Sequence, residues 1–400
     1  MASFILRFMT FHSGLLLWAM IALHSNAISG RAKTYTSHTD SDWTEWLHYI
    51  VMTSTTEGFD DVKSISPSLQ FRFTDASCLA TSTVITRNTS VVEAQHIFVA
   101  SNGSGNFTTL QAAIDSIPKH NQIPTLICIA AGKYREKVII PKTKDLITLI
   151  GDSSGNGTVI VWNDTAATIN PETDHPLRTF YSPTVAVNAE FFVARNVIFE
   201  NDAPPPERGE VGGQAVALRI TGDYAAFYNC KFLGHQDTLY DQKGRHYFKN
   251  CFIQGSVDFI FGNGRSLYKE CYVRALDPGY ESVGSVTAQK RGATKFDSGF
   301  AFLQCNLTGD NNVYLGRAWG KNSRVVFAYT WMDDIVVPQG WNNWGVPGRE
   351  RTVFYAEFEC SGPGANNSTR VPWARQLTTQ EAQPFLSIAF VNGETWLREM

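Results

Sequence analysis

The sequence predicts an all-β fold, a single-stranded right-handed parallel β-helix with short flanking helices. Short runs of β-branched and aromatic residues follow one another closely, and Gly, Asn and Asp separate them. No long amphipathic helical pattern interrupts these runs. In the central part the runs repeat at a spacing near 20 residues, which is typical of a solenoid.

The repeat is visible when the sequence is compared with itself at a shift of 21 residues. The coinciding pairs are Phe227 with Phe248, Asn229 with Asn250, Cys230 with Cys251, Phe232 with Ile253, Gly234 with Gly255, Asp237 with Asp258, Leu239 with Ile260, and Tyr240 with Phe261. A further step of 20 places Tyr268 under Phe248 and Cys271 under Cys251, and residues 194–201 and 302–309 are looser copies. The Leu/Asn ladder of a leucine-rich repeat is missing. We therefore expect β-helical coils with apolar and Asn side chains stacked inside.

The chain divides into three regions. Residues 1–27 have the pattern of a cleaved secretory signal, because one cation, Arg7, precedes an apolar run at 14–23 that is short for a membrane span. Residues 28–90 are polar and predict a loosely ordered extension. Residues 91–400 form the β-helix domain, which starts with a strand, a Gly-rich turn and a short helix that ends before Pro118.

Composition narrows the classes of function. Apolar content of 43% and aromatic content of 12% suffice for a core, and the net charge of −3 without a Lys/Arg run argues against nucleic-acid binding. The density of Asn-X-Ser/Thr triplets agrees with secretion, in which case the seven cysteines can form disulfides. No Cys-X-X-Cys motif occurs, so a cysteine zinc site is not expected.

The two aspartates of the repeat are the main candidates for chemistry. Residues one coil apart stack at about 4.8 Å, so the carboxyl groups of Asp237 and Asp258 should lie roughly 5 Å apart. Two such groups do not both ionise easily, and the pair can supply one nucleophile and one general acid. The alternatives are a solvated pair or a pair of calcium ligands outside a coil. The same stacking places Cys230 over Cys251, within disulfide reach if the side chains point compatibly.

Other polar and aromatic residues can complete a site around this pair. Gln214 and Gln236 can donate amide hydrogens to a developing oxyanion. Arg317 can keep a neighbouring carboxylate ionised, and Trp319 offers a platform for a sugar ring. A surface salt bridge for Arg317 and a core position for Trp319 are the simpler alternatives.

Seven stretches together resemble the plant-type pectin methylesterases, or pectinesterases. They are GKYREKV (132–138), GGQAVALR (212–219), GHQDTLY (234–240), GSVDFIFGNG (255–264), VTAQKR (286–291), LGRAWG (315–320) and EAQPFLSIAFVNGETWL (381–397). They follow the family's order, and the resemblance covers residues 96–397.

The resemblance implies a right-handed β-helix that hydrolyses methyl esters of galacturonic acid in pectin. It implies Asp258 as nucleophile, Asp237 as general acid and then base, and Gln214 and Gln236 as the anion hole. Arg317 would hold Asp258 and touch the substrate. The residues expected to bind the sugar chain are Thr184, Gln214, Tyr240, Phe261, Arg317 and Trp319.

The resemblance also sets expectations for partners and location. No metal or organic cofactor is expected, and pectin is the expected partner, with a proteinaceous pectinesterase inhibitor as a further candidate. No nucleic acid and no membrane are expected as partners. We expect a secreted monomer of the cell wall.

The sequence departs from the family pattern at several points. Ala318 stands where the family usually has proline, which should loosen the local backbone. The extension at 28–90 is too short and too polar for the helical inhibitor-like region of many relatives, so we expect none. The resemblance suggests a Cys271–Cys305 disulfide. Cys78, Cys128 and Cys360 have no assigned partner.

Two other functions are compatible with the predicted fold. A polygalacturonase-like glycoside hydrolase can also use a close carboxyl pair, but its other motifs are not found together here. A pectate lyase is disfavoured because no acidic calcium cluster is evident. A non-catalytic wall-binding protein on the same scaffold is the second alternative, and the presence of Asp237, Asp258 and Arg317 argues against it.

Overall fold

The computed structural model describes residues 69–72, 83–86, 91–280 and 283–397. Across these ranges the chain consists mainly of short strands in parallel sheets, and the predicted right-handed parallel β-helix is confirmed. The predicted signal peptide at 1–27 and most of the extension at 28–90 lie outside the described residues.

The strands and helices are short. In chain order the strands are β1 (Leu69–Arg72), β2 (Thr83–Thr86), β3 (Val91–Glu93), β4 (Gln95–Val99), β5 (Thr125–Ile129), β6 (Gly132–Arg135), β7 (Val138–Ile140), β8 (Ile147–Gly151), β9 (Thr158–Trp162), β10 (Ile169–Asn170), β11 (His175–Pro176), β12 (Val185–Val187), β13 (Val193–Arg195), β14 (Val197–Asn201), β15 (Leu218–Ile220), β16 (Ala225–Tyr228), β17 (Lys231–Leu233), β18 (Leu239–Asp241), β19 (Arg245–Lys249), β20 (Phe252–Gly255), β21 (Val257–Gly262), β22 (Arg265–Lys269), β23 (Tyr272–Ala275), β24 (Gly284–Gln289), β25 (Gly299–Leu303), β26 (Asn306–Gly309), β27 (Val313–Arg317), β28 (Arg324–Ala328), β29 (Trp331–Met332), β30 (Trp341–Asn342), β31 (Phe354–Phe358) and β32 (Arg375–Gln376). The α-helices are α1 (Leu110–Ser116), α2 (Arg178–Tyr181) and α3 (Thr379–Ala382), and 3-10 turns span Arg349–Arg351, Pro363–Ala365, Gln383–Phe385, Ile388–Val391 and Gly393–Thr395.

Three parallel sheets form the walls of the helix. Sheet 1 has the strand order β30-β27-β24-β21-β18-β15-β12-β7, sheet 2 the order β32-β31-β28-β25-β22-β19-β16-β13-β8-β5-β4, and sheet 3 the order β29-β26-β23-β20-β17-β14-β9-β6. From β12 to β31 each sheet takes every third strand, so one coil contributes one strand to each wall. Parallel connections of this kind are right-handed in nearly all proteins.

The register of sheet 2 confirms the predicted repeat. Phe227 pairs with Phe248, and Phe248 pairs with Tyr268. Their rings stack inside the helix with centroids 4.8 and 4.6 Å apart, and the stack continues through Phe302 and Phe327. Offset or parallel aromatic contacts of this kind add to the free energy gained by burial, so the repeat seen in the sequence is the stacking of equivalent core side chains.

The corner between sheets 2 and 3 explains the repeated asparagines and corrects one expectation. Asn229 and Asn250 have φ of 53° and 55°, and Glu270, in the next coil, has φ of 55°. Asparagine tolerates this left-handed conformation better than most residues. Asn229 is exposed, so the expectation that asparagines stack inside the coils is wrong at this corner.

The cysteines that follow this corner point into the core as free thiols. Cys230, Cys251, Cys271, Cys305 and Cys360 are all unpaired, and the first four are fully buried. The predicted Cys230–Cys251 and Cys271–Cys305 disulfides are therefore wrong. Side chains on stacked parallel strands point the same way, whereas a disulfide requires the two Cβ atoms to converge. Each thiol from Cys251 onward instead lies within 3.4–3.5 Å of a carbonyl oxygen of the preceding coil.

Burial raises the pKa of the Cys251, Cys271 and Cys305 thiols well above the ordinary value, so these groups should be inert in the folded protein. We expect iodoacetamide to alkylate the five free cysteines only after unfolding in guanidinium without reductant, as read by peptide mass mapping. Cys128, which is disulfide-bonded, is the internal control and should require reduction. Recovery of a peptide that links Cys271 to Cys305 would contradict this expectation.

Connections differ in length on different sides of the helix. At the corner between sheets 2 and 3, two residues separate the strands in five successive coils, from β16–β17 to β28–β29. On either side of sheet 1 the lengths vary: β20 ends at Gly255 and β21 begins at Val257, but β23 ends at Ala275 and β24 begins at Gly284. Variation in loop length therefore concentrates beside sheet 1.

The first described segments add a small element and confirm a predicted one. Strands β1, β2 and β3 form an antiparallel sheet, so two strands lie within the region that was expected to be loosely ordered. Helix α1 lies where the sequence predicts it, and its N-terminal amides at Leu110 and Gln111 donate to the Glu136 carboxylate at 2.7 and 2.9 Å. A carboxylate at this position satisfies free amides and the helix dipole.

Candidate active site

The two aspartates lie in adjacent coils at sheet 1, as the repeat predicts: Asp258 is in β21, and Asp237 lies two residues before β18. Leu239 pairs with Ile260, and the amide of Asp237 donates to the Val257 carbonyl at 3.1 Å. Asp237 and Asp258 both have positive φ, 65° and 50°. The pairing of β21 with β24 shifts register between Val257 and Ile260. Bulges and left-handed residues of this kind redirect side chains and are common at functional sites.

Asp258 is held by two charge-assisted hydrogen bonds from one guanidinium. Arg317 donates from Nε to Oδ1 at 2.9 Å and from Nη2 to Oδ2 at 2.5 Å. The Ser285 hydroxyl also donates to Oδ1, at 2.6 Å. The Asp258 side chain is only 7% exposed. Because all three donors favour the anion, Asp258 is stabilised as a carboxylate whose orientation is fixed.

Asp237 has the opposite electrostatic environment. Burial raises the pKa of Asp237 well above its ordinary value, and the charge of Asp258 raises it further, while Arg317 opposes the shift. Burial and the neighbouring carboxylate therefore favour the protonated form of Asp237. The pair thus combines one carboxyl group held by a guanidinium with one whose protonated form is favoured by burial, which is the division of roles required for a nucleophile and a general acid.

The two glutamines lie beside the pair in successive coils. The amide of Ala215 donates to the Gln236 carbonyl at 3.1 Å, which joins the segments that carry Gln214 and Gln236. Both side chains are half-buried. Within the described ranges neither side-chain amide has a hydrogen-bond partner, so both can donate to an incoming group.

Three aromatic side chains lie in a row on one face of sheet 1: Tyr240, Phe261 and Trp319. We call them the aromatic row. The Tyr240 and Phe261 rings stack at 4.3 Å, and the Trp319 ring lies 6.2 Å from that of Phe261. Phe261 is almost fully buried and forms the floor, while Tyr240 and Trp319 are half-buried. Half-exposed aromatic faces beside polar groups are suited to sugar rings.

Thr184 is the one predicted binding residue that the structure does not bring to this surface. Its side chain is fully buried, and its hydroxyl donates to the Glu200 carbonyl at 2.8 Å. Thr184 immediately precedes β12, which is a strand of sheet 1. In this conformation the side chain supports the backbone of the wall and does not face a ligand.

Two residues near the pair were not found by sequence reasoning. Ser285, which bonds Asp258, is a single serine in β24 without any motif character. Trp344 packs its ring against the Arg317 guanidinium, with Cζ 4.5 Å from the ring centroid. A cation over an aromatic face is an attractive contact, so Trp344 helps to orient the arginine that holds Asp258.

Ala318 has a hydrogen bond that proline could not form. Its amide donates to the Asn342 carbonyl at 2.9 Å, and the Asn342 side chain accepts from the Trp344 amide at 2.7 Å. The expectation of a looser backbone at this position is therefore wrong, because the pairing of β27 with β30 fixes the residue. Where the family usually has proline, whose ring fixes φ, this chain has Ala318, whose backbone amide forms a hydrogen bond.

A fully buried polar cluster lies behind the strand that leads from Asp237. Asp241, at the end of β18, accepts hydrogen bonds from His246 Nδ1 at 2.6 Å and from the Tyr268 hydroxyl at 2.6 Å. His246 Nε2 lies 3.0 Å from the Gly222 carbonyl. Both ring nitrogens thus face acceptors, so the imidazole is a cation paired with a buried carboxylate.

Among residues 69–72, 83–86, 91–280 and 283–397, no group of three or more His, Cys, Asp or Glu side chains is arranged to hold a metal ion. No helix in the same ranges is both long and apolar enough to cross a bilayer.

Fold and site together define a class, the parallel β-helix proteins that carry a buried pair of aspartates beside an aromatic surface. The Pectinesterase family model matches residues 96–394. "Probable pectinesterase 8" of Arabidopsis thaliana is 47% identical over 308 residues, which are 76% of this chain and 76% of the relative.

Solved structures agree with this match. A pectin methylesterase from carrot superposes with a TM-score of 0.70 at 34% identity, covering 77% of this chain and 96% of the carrot chain. A pectin methylesterase in complex with a hexasaccharide has a TM-score of 0.65 at 26% identity, covering 75% and 98%. This chain therefore belongs to the pectinesterase family, and the resemblance seen in the motifs is confirmed.

Proposed function

We propose that this protein is a carboxylic ester hydrolase that removes methyl groups from esterified galacturonate units of pectin. The observation that carries the proposal is the contrast between the environments of two neighbouring carboxyl groups, one held by a guanidinium and the other buried beside it. Asp258 is bonded by Arg317, and burial raises the pKa of Asp237. Membership of the pectinesterase family supplies the substrate class.

In the first half of the proposed reaction, the Asp258 carboxylate attacks the carbonyl carbon of the methyl ester. The negative charge that develops on the carbonyl oxygen is stabilised by the side-chain amides of Gln214 and Gln236. As the bond to the methoxy oxygen breaks, Asp237 transfers its proton to that oxygen and methanol leaves. The product is an acyl-enzyme, a mixed anhydride on Asp258.

In the second half, Asp237 is ionised and takes a proton from a water molecule. The resulting hydroxide attacks the sugar carbonyl of the anhydride, and the bond to Asp258 breaks. Asp258 returns to its carboxylate form between Arg317 and Ser285, and Asp237 is protonated again. The new galacturonic acid releases a proton to solvent, so each cycle produces methanol, a carboxylate and a proton.

Binding of the sugar chain is proposed for the face of sheet 1. The aromatic row offers ring faces beside the aspartate pair, and Arg317 is 32% exposed and so can reach a substrate oxygen. We do not include Thr184 as a contact because its side chain is buried. One solved relative was determined with a hexasaccharide, which supports an extended polysaccharide site.

The remaining proposals concern domain layout, location and partners. We propose a signal peptide at 1–27, an extension at 28–90 and a catalytic domain at 91–400. The N-terminal pattern and the Asn-X-Ser/Thr triplets support secretion to the cell wall. A monomeric state and a proteinaceous inhibitor as partner are proposals that rest on the family resemblance alone.

The proposed function is tested by methanol release from highly methylated pectin, with polymer chain length followed in the same samples. Wild-type protein should release methanol without shortening the chains. Asp258→Asn should lower kcat by on the order of 10⁴-fold, because it removes the nucleophile while keeping the shape. Asp310→Asn is the matched control, since that aspartate is 56% exposed and pairs with Arg274 in sheet 3.

Each rival function has its own signature in this assay. Chain shortening without methanol would indicate a polygalacturonase-like enzyme. A folded wild-type protein that releases no methanol but binds pectin would indicate the non-catalytic wall-binding alternative.

A further inference from the structure

A lysine that directly follows β24 lies on the aromatic row and has no anionic partner in the part of the chain that the structure describes. Lys290 is exposed, and its backbone amide donates to the Gly262 carbonyl at 2.6 Å, which fixes the residue beside the end of β21. Its ammonium lies 3.9 Å from the centroid of the Trp319 ring. Among the described residues, no carboxylate pairs with this ammonium.

Over the described ranges, Lys290 is not neutralised by a carboxylate, whereas Arg317, the cation beside Asp258, is. Arg317 is neutralised by its two hydrogen bonds to Asp258. Burial raises the pKa of Asp237, which favours the uncharged form of that carboxyl group. Lys290 therefore adds an uncompensated positive charge to one end of the aromatic row, and the contact with Trp319 gives this charge a defined position.

Pectin contains two kinds of galacturonate unit that can bind beside Lys290. A methyl-esterified unit is neutral and cannot form an ion pair. A de-esterified unit carries a carboxylate, and an ammonium beside a half-exposed ring can bind both its charge and its sugar face. The anionic unit is thus the better partner for the Lys290–Trp319 pair.

We propose that Lys290 forms a subsite that recognises the free carboxylate of a galacturonate unit next to the reacting ester. This inference rests on the proposed function and specifies which form of pectin the enzyme prefers. A chain that already carries carboxylates would bind better than a fully esterified chain. Because Lys290 is exposed, the ion pair should be weak and sensitive to salt.

The test compares two oligogalacturonides of equal length, one fully methyl-esterified and one partly de-esterified. For wild type, kcat/KM should be higher on the partly de-esterified oligomer, and the preference should decline as salt rises. Lys290→Gln should reduce this preference about threefold, the size expected for an exposed ion pair. Lys290→Arg should retain it. Lys231→Gln, which changes an exposed lysine of sheet 3, is the matched control and should resemble wild type.

The possible failures are distinguishable. Equal preference in wild type and Lys290→Gln, with methanol released by both, overturns the subsite and leaves the esterase function intact. If wild type releases no methanol from either oligomer, the proposed function fails. The subsite is then decided by calorimetric binding of a fully de-esterified oligogalacturonide, for which unchanged affinity in Lys290→Gln overturns it and threefold weaker affinity supports it.

Discussion

Replacing Asp237 with asparagine should lower kcat for methanol release by about 10²–10⁴-fold, the range typical of a lost general acid. Asparagine preserves the size of the side chain but cannot transfer a proton to methanol or accept one from water. The variant should also lose the alkaline limb of the pH–rate profile. In wild type that limb reports Asp237, because its pKa is raised by burial and by Asp258, and activity falls as pH rises through that raised value.

The measurement is kcat/KM for methanol release across pH 4–10, with Asp310→Asn as the control that should reproduce the wild-type profile. An alkaline limb that is unchanged in Asp237→Asn would assign proton donation to another group and would refute the role proposed for Asp237.

Replacing His246 with glutamine should lower the free energy of unfolding by about 3–5 kcal/mol, because it leaves the buried Asp241 carboxylate without its cation. The comparable double variant Asp241→Asn/His246→Gln should be less destabilised than either single variant, since neither charge remains. Urea unfolding of the three variants and wild type measures these differences. A loss below about 1 kcal/mol in His246→Gln would show that the imidazole is not a buried cation.

The same pair predicts a pH dependence of stability. Burial alone lowers the pKa of His246, but the charge and hydrogen bond of Asp241, the Gly222 carbonyl and the charge of Asp223 raise it above its ordinary value. A raised folded-state pKa means that the stabilisation is fully present below the unfolded value of about 6.5 and is lost as pH rises through the folded value. Wild type should therefore lose stability in this window, and the double variant should not. Tyr268, whose hydroxyl also donates to Asp241, has a pKa raised well above the ordinary range by burial and stays neutral throughout.

The sequence predicted most of the fold because equivalent positions carry similar side chains. Phe227 and Phe248 coincide at a shift of 21 residues since their rings stack in adjacent strands. The same shift aligned Asp237 with Asp258, so the central feature of the site could be predicted before the structure was known. The glutamines, Arg317 and Trp319 were found through motifs that resemble the family pattern.

Other features left no periodic signal. Ser285 and Trp344 come from coils that longer connections interrupt, so no fixed shift aligns them with Asp258. The direction of the cysteine side chains depends on the left-handed corner before them, which residue types alone do not determine. Thr184 is buried and its hydroxyl donates to the Glu200 carbonyl in another wall, a contact that the sequence around Thr184 does not reveal.

The uneven distribution of connection lengths has a consequence for how such an enzyme can diversify. The two-residue corner between sheets 2 and 3 keeps successive coils aligned, while the segments beside sheet 1 differ in length from coil to coil, as residues 242–244 and 290–298 do. Lengthening a surface connection has a small entropic cost, about 0.6 kcal/mol for each doubling. Substrate preference can therefore change through evolution of these segments, or through engineered exchange of the segments between relatives. Neither change disturbs the alignment that brings the two aspartates together.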